Sequence, residues 1–419
     1  MKINPHLRLL WIIPALLLSS CTAPGGNTRL YEDQTYHLQA LRVMSEGHAG
    51  GSEIGEVLTI IKQVPEGDDE AWHLAWNRMA KRIEKRAESL ENPVSQGNAF
   101  LRVCNYYRAA EFFLHPEDQR RLPTFHKSRD AFLYGLKSLQ VRYQILQIPY
   151  GNHTLKAIYY PGDSGSAGKP LMIINGGYDS TLEELYFFIV KAALDRGFAC
   201  LTYEGPGQGF VLREQGLRFT HEWEKPTGAV INEFLKRYSR PEQIILIGIS
   251  FGGYLAPRAA AYDKRIDGVV AYNVGYDFQE AAMKQAPGFI RYLYEHGYND
   301  TVNGLIKMKM KTSPGLRWGV RNGQWAMGAK DPTDLIRIFS EYKLDGDAEK
   351  ITCDVLITAG EKDHFVPIEQ VDEFKKHLKN AKSVTVRIFT EEEGGHEHCQ
   401  IGALSLFHEE LFEWVEKRF

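Results

Sequence analysis

The most constraining stretch of this chain lies near its middle, where the apolar run Gln243 to Gly248 passes without a break into Gly248-Ile249-Ser250-Phe251-Gly252-Gly253. The run reads as a buried strand, and a helix begins near Phe251. A strand that turns into a helix over so few residues bends sharply, and its flanking positions then admit only small side chains. Such a turn lifts Ser250 clear of the strand at its C-terminal end, in front of the free N–H groups of the helix's first turn. The pentapeptide alone would be a weak signal. The strand before it and the helix after it mark Ser250 as a candidate nucleophile.

The rest of the chain supplies a sheet for that strand. Gln144 to Tyr150 and His153 to Tyr160, separated by Gly151-Asn152, read as a hairpin. Strands at Pro170 to Ile174, Phe198 to Tyr203, Gly268 to Tyr272, Asp354 to Thr358 and Ser383 to Phe389 then alternate with helices near Leu182 to Arg196, Ala229 to Tyr238 and Leu404 to Lys417. This predicts an α/β class, with a doubly wound, mostly parallel sheet covered on both faces. Residues 275–350 interrupt the alternation with helical, aromatic sequence (Tyr292, Tyr294, Trp318, Trp325), which predicts a lid over the strand ends. Residues 35–140 follow helical spacing instead: Trp72, Trp76, Met79, Ile83, Ala87 and Leu90 share one stripe, and Tyr106, Ala109, Ala110 and Phe113 another. They read as the core of an N-terminal helical module ahead of a domain over 141–419.

The N-terminus reads as a targeting segment. Lys2 and Arg8 precede an apolar run from Leu9 to Leu18 broken only by Pro14, and small Ser19 and Ser20 follow. That is the pattern of a signal peptide over 1–20, and the run is shorter than the roughly 20 residues a bilayer span requires. Leu18-Ser19-Ser20-Cys21 resembles the lipobox of bacterial lipoproteins, in which the cysteine becomes the acylated N-terminus; an ordinary signal peptide with a chance cysteine is the alternative. Residues 21–34 read as a tether. The expectation is an exported protein, anchored to a membrane on the periplasmic side or at the cell surface.

The roughly 400 residues that remain suit one large domain with an accessory one. A formal net charge of -3 without a long basic run excludes nucleic acid as a partner, and Lys307-Met308-Lys309-Met310-Lys311 reads as a solvated face. Cys104, Cys200, Cys353 and Cys399 are scattered, with no Cys-x-x-Cys pair, and no disulfide is assigned. No metal and no organic cofactor is expected, and a homodimer is compatible with the sequence.

A serine hydroxyl is a weak nucleophile, so a base must take its proton and an acid must orient that base. A serine on such a turn in a parallel sheet resembles the α/β-hydrolase fold, whose chain order is Ser, then Asp or Glu, then His. Asp363 follows the strand after the insert and lies closer than its competitor Glu361 to Val366-Pro367, which opens the next helix. The loop after Phe389 carries two histidines, His396 and His398, and position alone does not choose between them. Phe251 supplies one backbone donor for an oxyanion hole; Gly177 or Tyr178 supplies the other, with Tyr178 preferred because it follows the glycine pair.

Taken together, Asn175-Gly176-Gly177-Tyr178-Asp179-Ser180 with Glu183-Glu184, Tyr203-Glu204-Gly205-Pro206-Gly207-Gln208-Gly209, and His398-Cys399-Gln400 with Gly402-Ala403 resemble one branch of that fold. It includes dihydroxypseudooxynicotine hydrolase, fungal hydrolases that shorten polyketide chains, and esterases related to the fermentation-respiration switch protein. Trp72 and Trp76 with Tyr106 to Phe113 look like the branch's N-terminal domain. The resemblance implies that His398, directly before the cysteine, is the base. It implies a serine hydrolase acting on an ester or other activated carbonyl of a small acyl or carbonyl substrate, or alternatively on a carbon–carbon bond of a β-dicarbonyl. A catalytically silent binding lipoprotein is the expectation from a different class. The signal segment departs from the branch, whose enzymes are mostly intracellular. The Gly205 to Gly209 loop reads as a structural turn, and the substrate pocket is expected between the elbow, the helical module and the insert.

Overall fold

The structure, a computed structural model, describes residues 29–162 and 168–419. The signal segment 1–20, Cys21 and the tether up to residue 28 lie outside the described residues. Eight strands form one sheet: β1 (Gln144–Tyr150), β2 (His153–Tyr160), β3 (Leu171–Asn175), β4 (Cys200–Glu204), β5 (Ile244–Ile249), β6 (Gly268–Tyr272), β7 (Asp354–Gly360) and β8 (Ser383–Phe389), in the order β1-β2-β4-β3-β5-β6-β7-β8. β1 and β2 pair antiparallel, as do β2 and β4, and every other pairing is parallel. The central strands β3 to β7 are buried throughout, which is why they read as continuous apolar runs.

The two-residue period of a strand sorts these runs into two cores. Ile245, Ile247 and Ile249 of β5 face a cluster with the N-terminal helices and the closing helix Leu404–Glu416. Ile244 and Leu246 face the opposite cluster, with the helices Glu224–Arg237 and Gly252–Tyr262.

The N-terminal module consists of α1 (Gln34–Ser45), α2 (Ile54–Ile61), α3 (Asp69–Glu88), α4 (Pro93–Glu111) and α5 (Arg121–Ser138). The tryptophan stripe lies on α3, although Leu90 falls beyond the helix end. Trp72 packs edge-on against Tyr36 and Phe113, with ring centroids 5.1 Å away in both cases, and its indole N–H donates to the carbonyl of Ala109 at 2.8 Å. That bond leaves this fully buried side chain without an unpaired polar atom. The module is fastened to the sheet domain by buried ion pairs. Arg42 of α1 reaches Glu184 at 2.5 Å and Asp179 at 2.8 Å, and Arg108 of α4 reaches both acids at 3.1 Å.

The segment between β6 and β7 holds five helices, from Phe278–Gln285 to Pro332–Phe339. Lys307, Lys309 and Lys311 are exposed on its surface. Cys104, Cys200, Cys353 and Cys399 are buried free thiols. Among the described residues no helix is long and apolar enough to cross a membrane.

Candidate active site

Ser250 sits between β5 and the helix Gly252–Tyr262 with φ 62°, a conformation that side-chain-bearing residues adopt only under constraint. Its N–H donates to the Tyr272 carbonyl at 2.9 Å, and its own carbonyl accepts from the Gly253 N–H at 2.7 Å. Glycines make the turn possible. A Cβ at Gly248 would lie 1.9 Å from the Gly252 carbonyl oxygen, and one at Gly253 would lie 2.1 Å from the Asn273 carbonyl oxygen.

The imidazole of His398 spans the gap between the serine and an acid. Its Nε2 is 2.8 Å from Ser250 Oγ, and its Nδ1 is 2.6 Å from Asp363 Oδ2. With a carboxylate on Nδ1, that nitrogen carries the proton and Nε2 is left to accept one. Asp363 Oδ1 accepts from the backbone N–H groups of Phe365 and Val366, and Oδ2 also accepts from the Asn273 amide at 2.6 Å. Burial opposes ionisation of Asp363, but His398 and these donors hold its pKa down at about 2. Burial by itself would depress His398; the Asp363 carboxylate outweighs it and holds the imidazole well above its usual range.

The rivals lie elsewhere. Glu361 is exposed and accepts from the Glu391 N–H at 2.9 Å. The His396 ring is turned to Glu397, 4.0 Å away, rather than to Ser250. The chain order thus brings Ser250, Asp363 and His398 together, with the base next to the cysteine.

The loop after β3 lies against the serine. A Cβ at Gly177 would come within 2.8 Å of the Phe251 nitrogen and 2.9 Å of Ser250 Cβ. The carbonyls of this loop are already held: Gln208 Nε2 donates to Gly176 at 2.7 Å and Gly177 at 3.0 Å, and Asn322 Nδ2 donates to Tyr178 at 3.0 Å. The backbone N–H groups of Gly177, Tyr178 and Phe251 have no protein acceptor among the described residues. Gly177 and the Phe251 nitrogen thus lie beside Ser250.

Four supporting side chains were not singled out from the sequence. Gln208 lies in the loop read as a plain structural turn, and it is what fixes the Gly176-Gly177 carbonyls. Asn273 directly follows the apolar run of β6, where a polar residue ending a buried strand was the available signal. Gln400, in the His-Cys-Gln element, donates to Asn273 Oδ1 at 3.3 Å. Asn322 and the neighbouring Gly319, whose carbonyl accepts from the Tyr178 hydroxyl at 3.0 Å, come from the insert, where no sequence pattern points to them. The helix Pro314–Ala326 therefore clamps Tyr178 from above, and its Trp318 stacks on Phe112 of the N-terminal module at 4.6 Å.

The family model described as alpha/beta hydrolase fold matches residues 169–398, more than half of the chain. The chain belongs to the α/β-hydrolase family. It is an enzyme of that family by its relatives as well as by its fold. Hydrolase acrC of Aspergillus aculeatus is 34% identical over 424 residues, covering 93% of this chain and 98% of that protein. The 20-hydroxy-prefusarin hydrolase FUS2 of Gibberella moniliformis is 30% identical, with 93% and 98% covered. Among solved structures, 2,6-dihydroxy-pseudo-oxynicotine hydrolase aligns with a TM-score of 0.69 and 19% identity over 90% of this chain and 95% of that one.

The glycine contacts give a direct test of the turn. Gly248→Ala forces a side chain into a backbone carbonyl that cannot move without unmaking the turn, and it is expected to destabilise the protein by at least about 3 kcal/mol. A urea denaturation midpoint equal to that of the parent would contradict the packing described.

Proposed function

We propose that the protein is a serine hydrolase that cleaves an ester or other activated carbonyl bond through an acyl-enzyme. The single observation that carries this reading is the unbroken hydrogen-bonded chain from Ser250 Oγ through His398 to Asp363, beside backbone donors with no acceptor among the described residues. Ser250 Oγ attacks the carbonyl carbon as its proton passes to His398 Nε2. The carbonyl oxygen gains negative charge and is stabilised by the Phe251 N–H and the N–H of Tyr178 or Gly177. The imidazolium, steadied by Asp363, then returns the proton to the departing group. A water molecule, deprotonated in turn by His398, releases the acid and restores Ser250.

A second reading uses the same side chains on a carbon–carbon bond. In a β-dicarbonyl the departing group leaves as an enolate, and the proton from His398 ends on carbon instead of oxygen. The resemblance of the Gly205 to Gly209 and His398-Cys399-Gln400 elements to polyketide-shortening hydrolases supports it, as does similarity along nearly the whole chain to a relative named for 20-hydroxy-prefusarin. Acyl esters and β-diketones tested in parallel separate the two readings. Ser250→Ala is expected to lower either activity by at least about 10³-fold; retention of both on substitution would sink the mechanism.

The pH dependence follows from the site's electrostatics. His398 must be neutral to accept a proton, and its pKa is raised, so kcat/KM should fall as pH drops through a value above the ordinary imidazole 6.5. Asp363→Asn removes the group that raises it. That variant should lose about 10³- to 10⁴-fold in kcat and shift its acid limb downward. An unshifted limb in the variant would assign the titration to another group.

We further propose that the chain is exported and held at a membrane by an acylated Cys21. Lys2, Arg8, the apolar run to Leu18 and Leu18-Ser19-Ser20-Cys21 support this. Intact mass of the mature protein should show a chain that starts at Cys21 and carries acyl groups; an unmodified start elsewhere would remove the anchor.

A further inference from the structure

The residues that flank Asp363 and His398 meet a single side chain of the N-terminal module. Gln34 is the first residue of α1, and the entry to that helix is clamped. The backbone N–H groups of Glu32 and Asp33 donate to the two carboxylate oxygens of Glu66 at 2.9 and 2.8 Å, and Asp33 Oδ1 caps the helix by accepting from the Thr35 and Tyr36 N–H groups. Held there, Gln34 Nε2 lies 2.9 Å from Glu397 Oε2 and 3.2 Å from both Glu397 Oε1 and His364 Nδ1. Glu397 directly precedes His398, and His364 directly follows Asp363. One amide nitrogen from the module thus touches both loops on which Asp363 and His398 sit.

The chemistry of the partners fixes how this amide is used. A carboxylate only accepts, so the nitrogen of Gln34, and not its oxygen, faces Glu397. Burial, against the pull of Asp363, lowers His364 to about 4, so its ring is neutral near pH 7 and its Nδ1 accepts from Gln34. The amide has one hydrogen for each partner. Glu397 is only 8% exposed, and a carboxylate buried so far needs a donor. The rings of His364 and His396 stand 3.8 and 4.0 Å from it, past hydrogen-bond reach, and Gln34 makes the direct donation. Further along α1, Leu41 closes on Gly402, where a Cβ would lie 3.2 Å from its side chain, so the helix follows the loop beyond His398 as well.

The two loops are also joined at their bases, where the Glu361 and Lys362 N–H groups donate to the Phe389 and His396 carbonyls at 2.9 and 3.0 Å. Those bonds stop short of Asp363 and His398, and Gln34 adds a tie at the residues that flank them. The 2.6 Å contact between His398 Nδ1 and Asp363 Oδ2 tolerates little sliding of one loop past the other. We propose that Gln34 is a positioning residue for catalysis: by bridging Glu397 and His364 it holds the two loops in the alignment that the His398–Asp363 bond requires. The N-terminal module is then part of the catalytic apparatus as well as a cover for the sheet. This rests on the reading of Ser250, His398 and Asp363 as nucleophile, base and acid.

Gln34→Leu keeps the bulk of the side chain and removes the donor. On the full chain with an acyl ester it is expected to lower kcat at least about tenfold and to change KM less than about threefold. The low-field proton resonance of His398 Nδ1–H, identified by its loss in Asp363→Asn, should shift and weaken in the same variant. A residue that served only to dock the module would lower the unfolding temperature and leave kcat and this resonance alone, so a parental value of either overturns the proposal. Gln34→Glu sets two carboxylates against each other and should be impaired at least as much as Gln34→Leu. Combined with Glu397→Gln it restores one donor and one acceptor in the reverse sense, and kcat should return to within about threefold of the parent. An exchanged pair no better than Gln34→Glu alone would also overturn the role, and it decides if Gln34→Leu does not fold. Turnover that survives Ser250→Ala condemns the hydrolase reading, and the resonance then decides for Gln34. Ser250-dependent turnover that Gln34→Leu leaves unaltered condemns the positioning role alone.

Discussion

The left-handed backbone of Ser250 is the constraint on which the rest of this site depends. A residue with a side chain pays about 1–3 kcal/mol to stay there, so its surroundings must hold it. They do so by close packing: Gly248 against Gly252, Gly253 against the Asn273 carbonyl, and Gly177 against the Phe251 amide. Each contact joins a different strand to the turn. β5 delivers the serine, β6 braces the start of the helix through Asn273, and the loop after β3 closes over the Phe251 amide. The geometry around Ser250 is therefore a property of three adjacent parallel strands, and the left-handed turn is stable only while all three are in register.

Asn273 makes the same point from the acid side. It has φ 57°, its carbonyl abuts Gly253, and its amide donates to Asp363. One residue thus couples the position of Ser250 to that of Asp363. Cys399 and Gln400 also have positive φ, and the Tyr272 hydroxyl accepts its place in the network by donating to the Cys399 carbonyl at 2.6 Å. The loop that presents His398 is tied back to β6 by that bond and by Gln400. Ser250, His398 and Asp363 are all referenced to the C-terminal end of a single strand.

How much of this was legible in sequence follows from the range of the interactions involved. The central strands were readable because burial on both faces leaves uninterrupted apolar runs, and Gly268 to Tyr272 falls on the observed bounds; the half-exposed edge strand Ser383 to Phe389 was readable from its alternation and falls on them too. Ser250 was readable because its environment is local, a strand, a turn and a helix within a few residues. Asp363 and His398 were placed by chain order and resemblance, since nothing in their own neighbourhoods separates His398 from His396. The bracing roles of Gln208 and Asn322 were not legible for a different reason. Each acts by donating to a backbone carbonyl far away in sequence, and any residue with an amide at the right point in space would serve. A short helix over Gly209–Gln215 also escaped notice, because glycines at its start disguise the helical pattern.

The division of labour between the three bodies explains why chemistry was easier to read than substrate. The serine, its base and its acid belong wholly to the sheet domain. Tyr178 does not: the Gly176 and Gly177 carbonyls before it are held by Gln208 from the sheet domain, its own carbonyl and hydroxyl by the insert, and the adjoining Asp179 by Arg42 and Arg108 of the N-terminal module. Tyr178 is thus the meeting point of all three. On the proposed mechanism, which bond breaks would depend on where the departing group lies when His398 returns its proton. On that reading, two chains with the same turn and the same three side chains could cleave different bonds, with the difference residing in the residues that shape the surroundings of the serine.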